Sequence, residues 1–415
     1  MRGLLAFFIL LFLLHIEASG QRVCGSADYA KNQVLISSRP IQPVVSNAAA
    51  RDTLPNETII IPVVVHVLYN NPAQNISDAQ IFSQLKSLNE DFRRLNQDAS
   101  QTPDAFKQLA ADTRISFCLA QLNPQNKPTS GIIRKYTHQS SFSMNDGMKF
   151  SSSGGDDAWD SNSYLNIWVC NLSGNTLGYS SFPDVPSQKD GVVIQYDVFG
   201  TTPNVRSIFN KGRTTTHEVG HWLGLKHIWG DNACGNDDID DTPQQSGNNY
   251  NCPSFPRIST CSPNANGDMF MNYMDYTNDE CMNMFTYGQA KKMRALFSLN
   301  GSKNTFLYSN KSDSNSVSGS ALPNTSENNI NNNKPLPNIS IYPNPVGQFL
   351  NLMPTNGFVL NGKSATILNV SGSVLLQKKL SSNNDRLDLS GLSKGIYFLH
   401  ISDGKEKTVL KLIKM

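Results

Sequence analysis

The residues most able to do chemistry stand in one stretch, His217-Glu218-Val219-Gly220-His221-Trp222-Leu223-Gly224-Leu225-Lys226-His227. Residues four apart on a helix lie about 40° from one face, so His217 and His221 can share one metal ion. Glu218 projects roughly 100° from His217, beside the metal, where it can take a proton from water. Gly224 permits φ > 0, which would end the helix and swing His227 round as a third ligand. Three nitrogen ligands leave a fourth position for water, the pattern of a catalytic zinc site. Zinc would lower the water's pKa toward ~7, with Glu218 serving as base and then as acid to a leaving amine. A chance His-Glu-x-x-His occurs in roughly one chain of this size per hundred, and the added Gly and third His cut that by a factor of about a thousand. A surface helix with unrelated histidines is therefore the weaker reading. His66, His138 and His400 lack such company and read as structural.

Several elements must carry this stretch. Ile59–Tyr69 (IIIPVVVHVLY) is a β-branched run suited to a buried strand. Ser77 can cap a helix whose apolar positions Ile81, Leu85, Leu88, Phe92 and Leu95 fall at helical spacing. Further strands are expected at Arg114–Ala120, Tyr164–Cys170 and Gly191–Tyr196, with helices at Thr214–Leu225 and Gln289–Leu299. Strands alternating with a long helix predict a mixed α/β (α+β) unit over residues 51–300. Residues 301–337 shift to Asn, Ser and Lys and read as a flexible linker. Residues 338–415 show short alternating strands with turns such as Asn361-Gly362 and Asp403-Gly404, predicting a small all-β sandwich.

A chain of 415 residues exceeds one core, so two or three folded units are expected. The net charge of +2 argues against a dedicated nucleic-acid binder. Met1-Arg2, the apolar run Leu4–Leu14 and Ala18-Ser19-Gly20 compose a signal peptide over residues 1–20, too short for a stable membrane span. Export to the cell surface or medium follows, and in that oxidising setting paired cysteines are the default. There are seven: Cys24, Cys118, Cys170, Cys234, Cys252, Cys261 and Cys281. Cys118 and Cys170, on two expected strands, read either as a bridge or as two buried free thiols. Residues 21–50 have little hydrophobic periodicity and read as an extended segment.

The eleven-residue stretch resembles the long zinc signature of the metzincins, and Asn272-Tyr273-Met274-Asp275-Tyr276 resembles their Met-turn. Together with Asp241-Thr242-Pro243 and Tyr164-Leu165-Asn166-Ile167-Trp168-Val169, the combination resembles the pappalysin family over roughly residues 55–300. The resemblance implies a metzincin-like catalytic domain built on a mixed twisted sheet and a zinc helix. Its substrates are proteins or peptides. Met274 would lie beneath the metal as an apolar floor, and Tyr276 would help bind the oxyanion, where a phenol donor stabilises developing charge. Spacing alone leaves three pairings open among Cys234, Cys252, Cys261 and Cys281. The family pattern implies Cys234–Cys261 and Cys252–Cys281. Cys24, in Arg22-Val23-Cys24-Gly25, would fill the water's position in a latent form over a propeptide at 21–50, as the family's cysteine switch does; a thiolate is a good soft zinc ligand. Asp279 matches the aspartate of the S1′ pocket, implying Arg, and less often Lys, at P1′. Ala50-Arg51 is then a self-activation bond. Calcium is implied near Asp238, Asp241 and Thr242. Without the resemblance, Cys24 is an incidental thiol, Tyr276 a core residue of a turn, Asp279 a solvated loop acid, and the acidic loop merely solvated.

The C-terminal segments Ile341-Tyr342-Pro343-Asn344-Pro345, Lys394-Gly395-Ile396-Tyr397-Phe398 and Lys411–Met415 resemble the sorting domain carried by cargo of the type IX secretion system. That machinery is the implied partner, and no catalysis is expected there. A cell-surface binding protein with a vestigial zinc site is the competing function. The intact Glu218 and three histidines argue against it.

Overall fold

A long β-branched run is most stable in the middle of a sheet, and Ile59–Tyr69 forms a central strand, β1, buried except at Ile60 and Tyr69. The computed structural model describes residues 21–34, 58–201, 204–262, 266–312, 339–342, 346–354, 359–369, 373–382, 385–402 and 407–414. The expected leader at 1–20, the Ala50-Arg51 bond and Asp403-Gly404 lie outside the described residues. The chain divides into two units, residues 1–314 and 315–415.

In the first unit, β2 (Ile115–Leu119), β3 (Ile132–Tyr136), β4 (Leu165–Cys170), β5 (Gly178–Ser180) and β6 (Val192–Gln195) join β1 in a six-stranded sheet ordered β2-β1-β4-β6-β5. Strand β1 is long enough to take two partners in succession. β2 pairs parallel with Ile59–Val63, and β3 pairs parallel with Val65–Tyr69. β4 and β6 are also parallel, whereas the edge strand β5 runs antiparallel to β6. The helices are α1 (Ser26–Val34), α2 (Asp78–Phe92), α3 (Asp104–Lys107), α4 (Arg213–Trp222) and α5 (Tyr287–Ala295). This is the mixed α/β unit that the sequence predicts. The Ser77 hydroxyl accepts from Gln80 N at 3.2 Å, and α2 lays Ile81, Leu85, Leu88 and Phe92 onto the main core. Leu95 is exposed instead, because Arg94 adopts φ 50° and the helix has already ended. No helix among the described residues is long and apolar enough to cross a membrane.

Three expectations need correction. Residues 26–34 are helical rather than extended; tertiary docking of α1, described below, overrides a weak local pattern. The segment 301–312 belongs to the first unit, not to a linker. It forms a short 3-10 turn at Asn304–Tyr308 whose Phe306 is buried against Trp222 and Phe297, with ring centroids 5.7 and 6.1 Å away. Residues 313–337 of the expected linker are outside the described residues. Cys118 and Cys170 are free thiols. They lie on β2 and β4, which flank β1 on opposite sides, so two strand spacings of roughly 4.8 Å each already separate them beyond disulfide reach.

The second unit holds an antiparallel sheet of β10 (Val374–Lys379), β9 (Ser364–Asn369), β12 (Gly395–Ser402) and β13 (Lys407–Lys414). A second sheet contains β11 (Arg386–Asp388), β8 (Phe349–Pro354) and β7 (Ile339–Tyr342). Leu350, Leu352, Leu387 and Ile339 of the smaller sheet share one core with Ile367, Leu399, Ile401 and Leu412 of the larger, which makes a sandwich. Gly362 in the Asn361-Gly362 turn has φ 86°.

If 301–312 is part of the catalytic body, Phe306→Ala should destabilise it. Urea unfolding should show a loss of about 3 kcal/mol, the usual cost of emptying a buried phenylalanine site; an unchanged midpoint would return the segment to the linker.

Candidate active site

Helix α4 ends as the sequence requires. Gly224 adopts φ 84°, its N–H reaches His221 O at 2.8 Å, and the N–H of Leu225 reaches Gly220 O at 3.0 Å. This Schellman closure satisfies the last carbonyls of α4 and turns the chain back so that His227 returns to the helix. His217, His221 and His227 are all fully buried. The Nε2 atom of His221 lies 3.2 Å from that of His217 and 3.1 Å from that of His227.

The protonation of these rings can be read from their other nitrogens. His217 Nδ1 donates to Tyr273 O at 2.6 Å, and His221 Nδ1 donates to Leu225 O at 2.7 Å. A carbonyl can only accept, so Nδ1 carries the hydrogen and Nε2 is bare in the neutral ring. Burial and the neighbouring imidazoles hold His217 well below its usual pKa, and burial followed by His227 pushes His221 down to about 3. His227 Nδ1 donates to Asp231. Lone pairs therefore face one another across about 3 Å with no proton between them, an arrangement that only a cation makes favourable. Tetrahedral ligands at 2.0–2.1 Å stand about 3.3 Å apart, so the residues present fit zinc.

The floor and walls are equally specific. A Cβ at Gly220 would meet Met274 Sδ at 2.5 Å, so the methionine packs directly on the helix face that bears the histidines. Its loop is pinned by the buried Asp275, which accepts from Gln245, Asn249 and the Tyr276 backbone N–H. The Tyr273 hydroxyl donates to Asp91 at 2.8 Å, and Asp91 also accepts from Thr216 at 2.8 Å. The carbonyl that orients His217 is thus tied to both α2 and α4. Tyr276 sets its ring edge-on to His227, centroids 4.9 Å apart.

The segment before α1 fills the groove above the histidines. Cys24 Sγ falls within 4.8 Å of one nitrogen on each of the three imidazoles, making a set of three nitrogens and one sulfur. It forms an isolated parallel bridge with Gly178 of β5, with Leu177 N to Val23 O at 3.0 Å and Gly25 N to Gly178 O at 2.9 Å. Glu218 is met from this segment and from the first residue of α1: its Oε2 accepts from Cys24 Sγ at 3.4 Å and from Ser26 Oγ at 2.7 Å. Burial pushes Glu218 up to about 7, and burial followed by the Glu218 charge raises the Cys24 thiol well above its usual value. The Tyr276 hydroxyl donates to the backbone carbonyl of Cys24 at 3.3 Å.

Asp279 is buried, not a solvated loop acid. One oxygen accepts from the backbone N–H groups of Lys211 and Arg213 at 2.8 and 3.1 Å; the other takes Arg22 at 2.5 Å. The Arg22 guanidinium also donates to Thr214 Oγ1 at 3.0 Å and Thr277 O at 3.3 Å, and lies 5.0 Å over the Phe209 ring. Arg213 donates to Asp279 O at 2.6 Å and pairs with Asp98 at 2.7 Å, linking this loop to the start of α4.

Disulfides join Cys234 to Cys261 and Cys252 to Cys281, closing the turn-rich stretch after α4. The residues expected to hold calcium have these partners among the described residues. Asp238 pairs with Lys226 at 2.7 Å, Asp241 accepts at the N-terminus of α5 from Thr286 Oγ1 and Gly288 N, and the Thr242 hydroxyl donates to Asp237. Sequence reasoning misses Arg22, Ser26, Asp91, Arg213 and Asp231. Asp231 alone has a local signal, a carboxylate four residues after His227; the others depend on contacts across more than a hundred residues or on an unsuspected helix.

Residues 151–298 match the family described as pregnancy-associated plasma protein-A, and residues 340–415 match the secretion system C-terminal sorting domain. An extracellular metalloprotease of Arthroderma benhamiae is 31% identical over 288 residues, spanning 66% of this chain and 90% of that one. The chain belongs to the pappalysin family of metalloproteases. Among solved structures, mature mirolysin of Tannerella forsythia with a cleaved peptide is 53% identical, with TM-score 0.60, over 61% of this chain and 97% of that one. A promirolysin variant of the same organism is 47% identical, with TM-score 0.61, over 69% and 97%. This pappalysin is a zinc metalloendopeptidase, secreted or cell-surface, with a type IX sorting tail.

The Asp231 carboxylate orients His227, so Asp231→Asn should weaken metal retention by about 10- to 100-fold. Competition with a zinc chelator measures this. Equal retention by both proteins would make Asp231 a bystander.

Proposed function

We propose that residues 21–50 hold this endopeptidase latent by imitating a bound polypeptide, and that the mature enzyme, residues 51–300 with the packed extension to 312, cleaves before arginine and less often lysine. One observation carries this reading. The Arg22 guanidinium sits on the buried Asp279 while Cys24, two residues on, meets the three histidines. A cationic side chain and a zinc-seeking thiol are thus presented two residues apart by one extended strand. Asp279 keeps one oxygen free of its backbone donors, and a desolvated carboxylate of that kind favours a long cationic side chain. The guanidinium uses three separate acceptors, which a lysine ammonium cannot reach in the same fork.

His217, His221 and His227 would hold the zinc, with Cys24 as fourth ligand in the latent form. When bound, zinc supplies Lewis acidity that acidifies water and polarises a carbonyl. Glu218, freed from Ser26 and Cys24 when the prosegment leaves, takes the proton from the attacking water and delivers it to the leaving amine. With Ser26 and Cys24 in place, burial raises Glu218 to about 7. The Tyr276 hydroxyl already donates to a main-chain carbonyl at this spot, that of Cys24. A substrate carbonyl in the same place would receive that donor as charge develops on its oxygen. Leu177 N and Gly178 O on the edge of β5 hold the backbone of the guest strand. Activation follows cleavage between Ala50 and Arg51, a bond whose arginine suits the Asp279 pocket. The sorting domain acts as an address for the type IX machinery and takes no part in the reaction.

Mass-spectrometric profiling of a peptide library with mature enzyme should show Arg, then Lys, immediately after the cut. Asp279→Asn should lower the rate on Arg substrates by about 10- to 100-fold, the worth of a buried charged hydrogen bond. No basic preference in the unmodified enzyme would remove the pocket role. Separately, Cys24→Ala proenzyme should gain activity before any chain cleavage, measured on a quenched-fluorescence peptide beside a Glu218→Ala control. A silent Cys24→Ala protein would show that the thiol is not what blocks the site.

A further inference from the structure

On the far side of the histidines from Arg22, the prosegment makes a second built contact that the chemistry above does not use. Tyr29 of α1 points its hydroxyl at Asp146, 2.9 and 2.8 Å from the two carboxylate oxygens. Asp146 is buried and holds a left-handed backbone at φ 65°. Its charge is balanced by Lys149 Nζ at 3.0 Å and Lys189 Nζ at 3.3 Å. Lys149 is itself wholly buried, and its ammonium faces three rings, Tyr29 at 5.0 Å, Tyr179 at 5.2 Å and Trp168 at 5.6 Å. Tyr179, on β5, lies against the Tyr29 ring with centroids 4.9 Å apart and directs its own hydroxyl at Asp146 and Met148.

Burying a carboxylate and the Lys149 ammonium, with Lys189 half-buried beside them, is costly, and replacing such a cluster with apolar residues is often neutral or stabilising. Its persistence beside the groove calls for a use. Tyr29 belongs to the segment that departs on activation, whereas Asp146, Lys149, Met148 and Tyr179 stay. The departing ring leaves behind a slot with one aromatic wall and, at its end, a carboxylate short of one hydrogen-bond donor. Along the prosegment the order is Arg22, then Cys24 at the histidines, then Tyr29, so the slot lies on the side opposite Asp279.

We infer that this slot is a substrate subsite on the non-primed side, built to take a tyrosine side chain of the polypeptide being cut. The inference rests on the reading of Asp279 as the P1′ pocket, which sets the direction of the bound chain. Tyrosine is the fitting occupant among the natural side chains. It brings a flat ring for Tyr179 and the Lys149 ammonium, and a neutral donor for Asp146. Phenylalanine fills the slot but leaves the carboxylate unsatisfied, and a site built around a hydroxyl discriminates strongly against the analogue lacking it. An arginine or lysine would bring a third cation beside Lys149 and Lys189.

The test uses mature enzyme and peptides with one Arg, in which Tyr, Phe, O-methyltyrosine or Ala is placed at each of the five positions on either side of the bond before that Arg. At one non-primed position, kcat/KM for Tyr should exceed Phe and O-methyltyrosine by about tenfold, as a hydrogen bond to a charged acceptor gives. In Asp146→Asn enzyme this Tyr-over-Phe ratio should fall toward one while the preference for Arg after the cut is retained. Tyr no better than Phe at every non-primed position, with the Arg preference intact, overturns the subsite and leaves Tyr29 as a latency contact only. Loss of the Arg preference in the unmodified enzyme overturns the P1′ reading instead. A Tyr preference confined to the primed side also overturns the inference. Should Asp146→Asn fail to fold, the four-peptide comparison on unmodified enzyme decides by itself.

Discussion

The structure depends on a set of imidazole nitrogens that must face each other bare. Two main-chain carbonyls and one carboxylate fix the hydrogen of each ring on Nδ1, so three Nε2 lone pairs converge. Nothing among the described residues relieves that repulsion; a metal ion does. Much of the surrounding architecture serves to keep those acceptors in place. The Gly224 turn supplies the Leu225 carbonyl, the Met274 loop supplies Tyr273, and Asp91 ties that loop to two helices. The disulfides then close the long irregular path between α4 and α5, which has few regular hydrogen bonds of its own.

A second constraint follows from the first. A site that is electron-rich, buried and open at one coordination position will react with any fitting chain unless it is covered. The segment Arg22–Tyr29 covers it with complementary chemistry at each step: a cation for Asp279, a thiol for the imidazoles, a hydroxyl for Glu218, and a phenol for Asp146. Its backbone completes an edge of β5, a short strand that would otherwise present unpaired groups to solvent. The blocking strand therefore doubles as a cast of the groove.

How much of this is legible in the sequence depends on whether the signal is local. The zinc triad, Glu218, the Gly224 stop and β1 rest on spacing within a dozen residues, and helix periodicity locates α2. The Met274 loop and the cysteine pairs are reached through family resemblance, and their geometry adds what holds them. β5 escapes because three residues carry no periodicity, although it lines the groove. α1 escapes because it is nine residues long, with Tyr29 and Val34 its large apolar side chains, and a helix that short gains its stability from docking. Phe306 reads as part of a linker because the short run Phe306-Leu307-Tyr308 among Asn, Ser and Lys does not reveal the Trp222 ring it packs on. The partners within the acidic run 237–241 are not legible from its density of carboxylates: Asp238 pairs with Lys226, and Asp241 accepts at the N-terminus of α5.

Zinc K-edge X-ray absorption on the latent protein tests the central claim most directly. The account predicts one zinc per chain with three nitrogen ligands at about 2.0–2.1 Å and one sulfur at about 2.3 Å, the sulfur being replaced by a light atom in Cys24→Ser. A spectrum with fewer than three nitrogens, or one unchanged by that substitution, would contradict it.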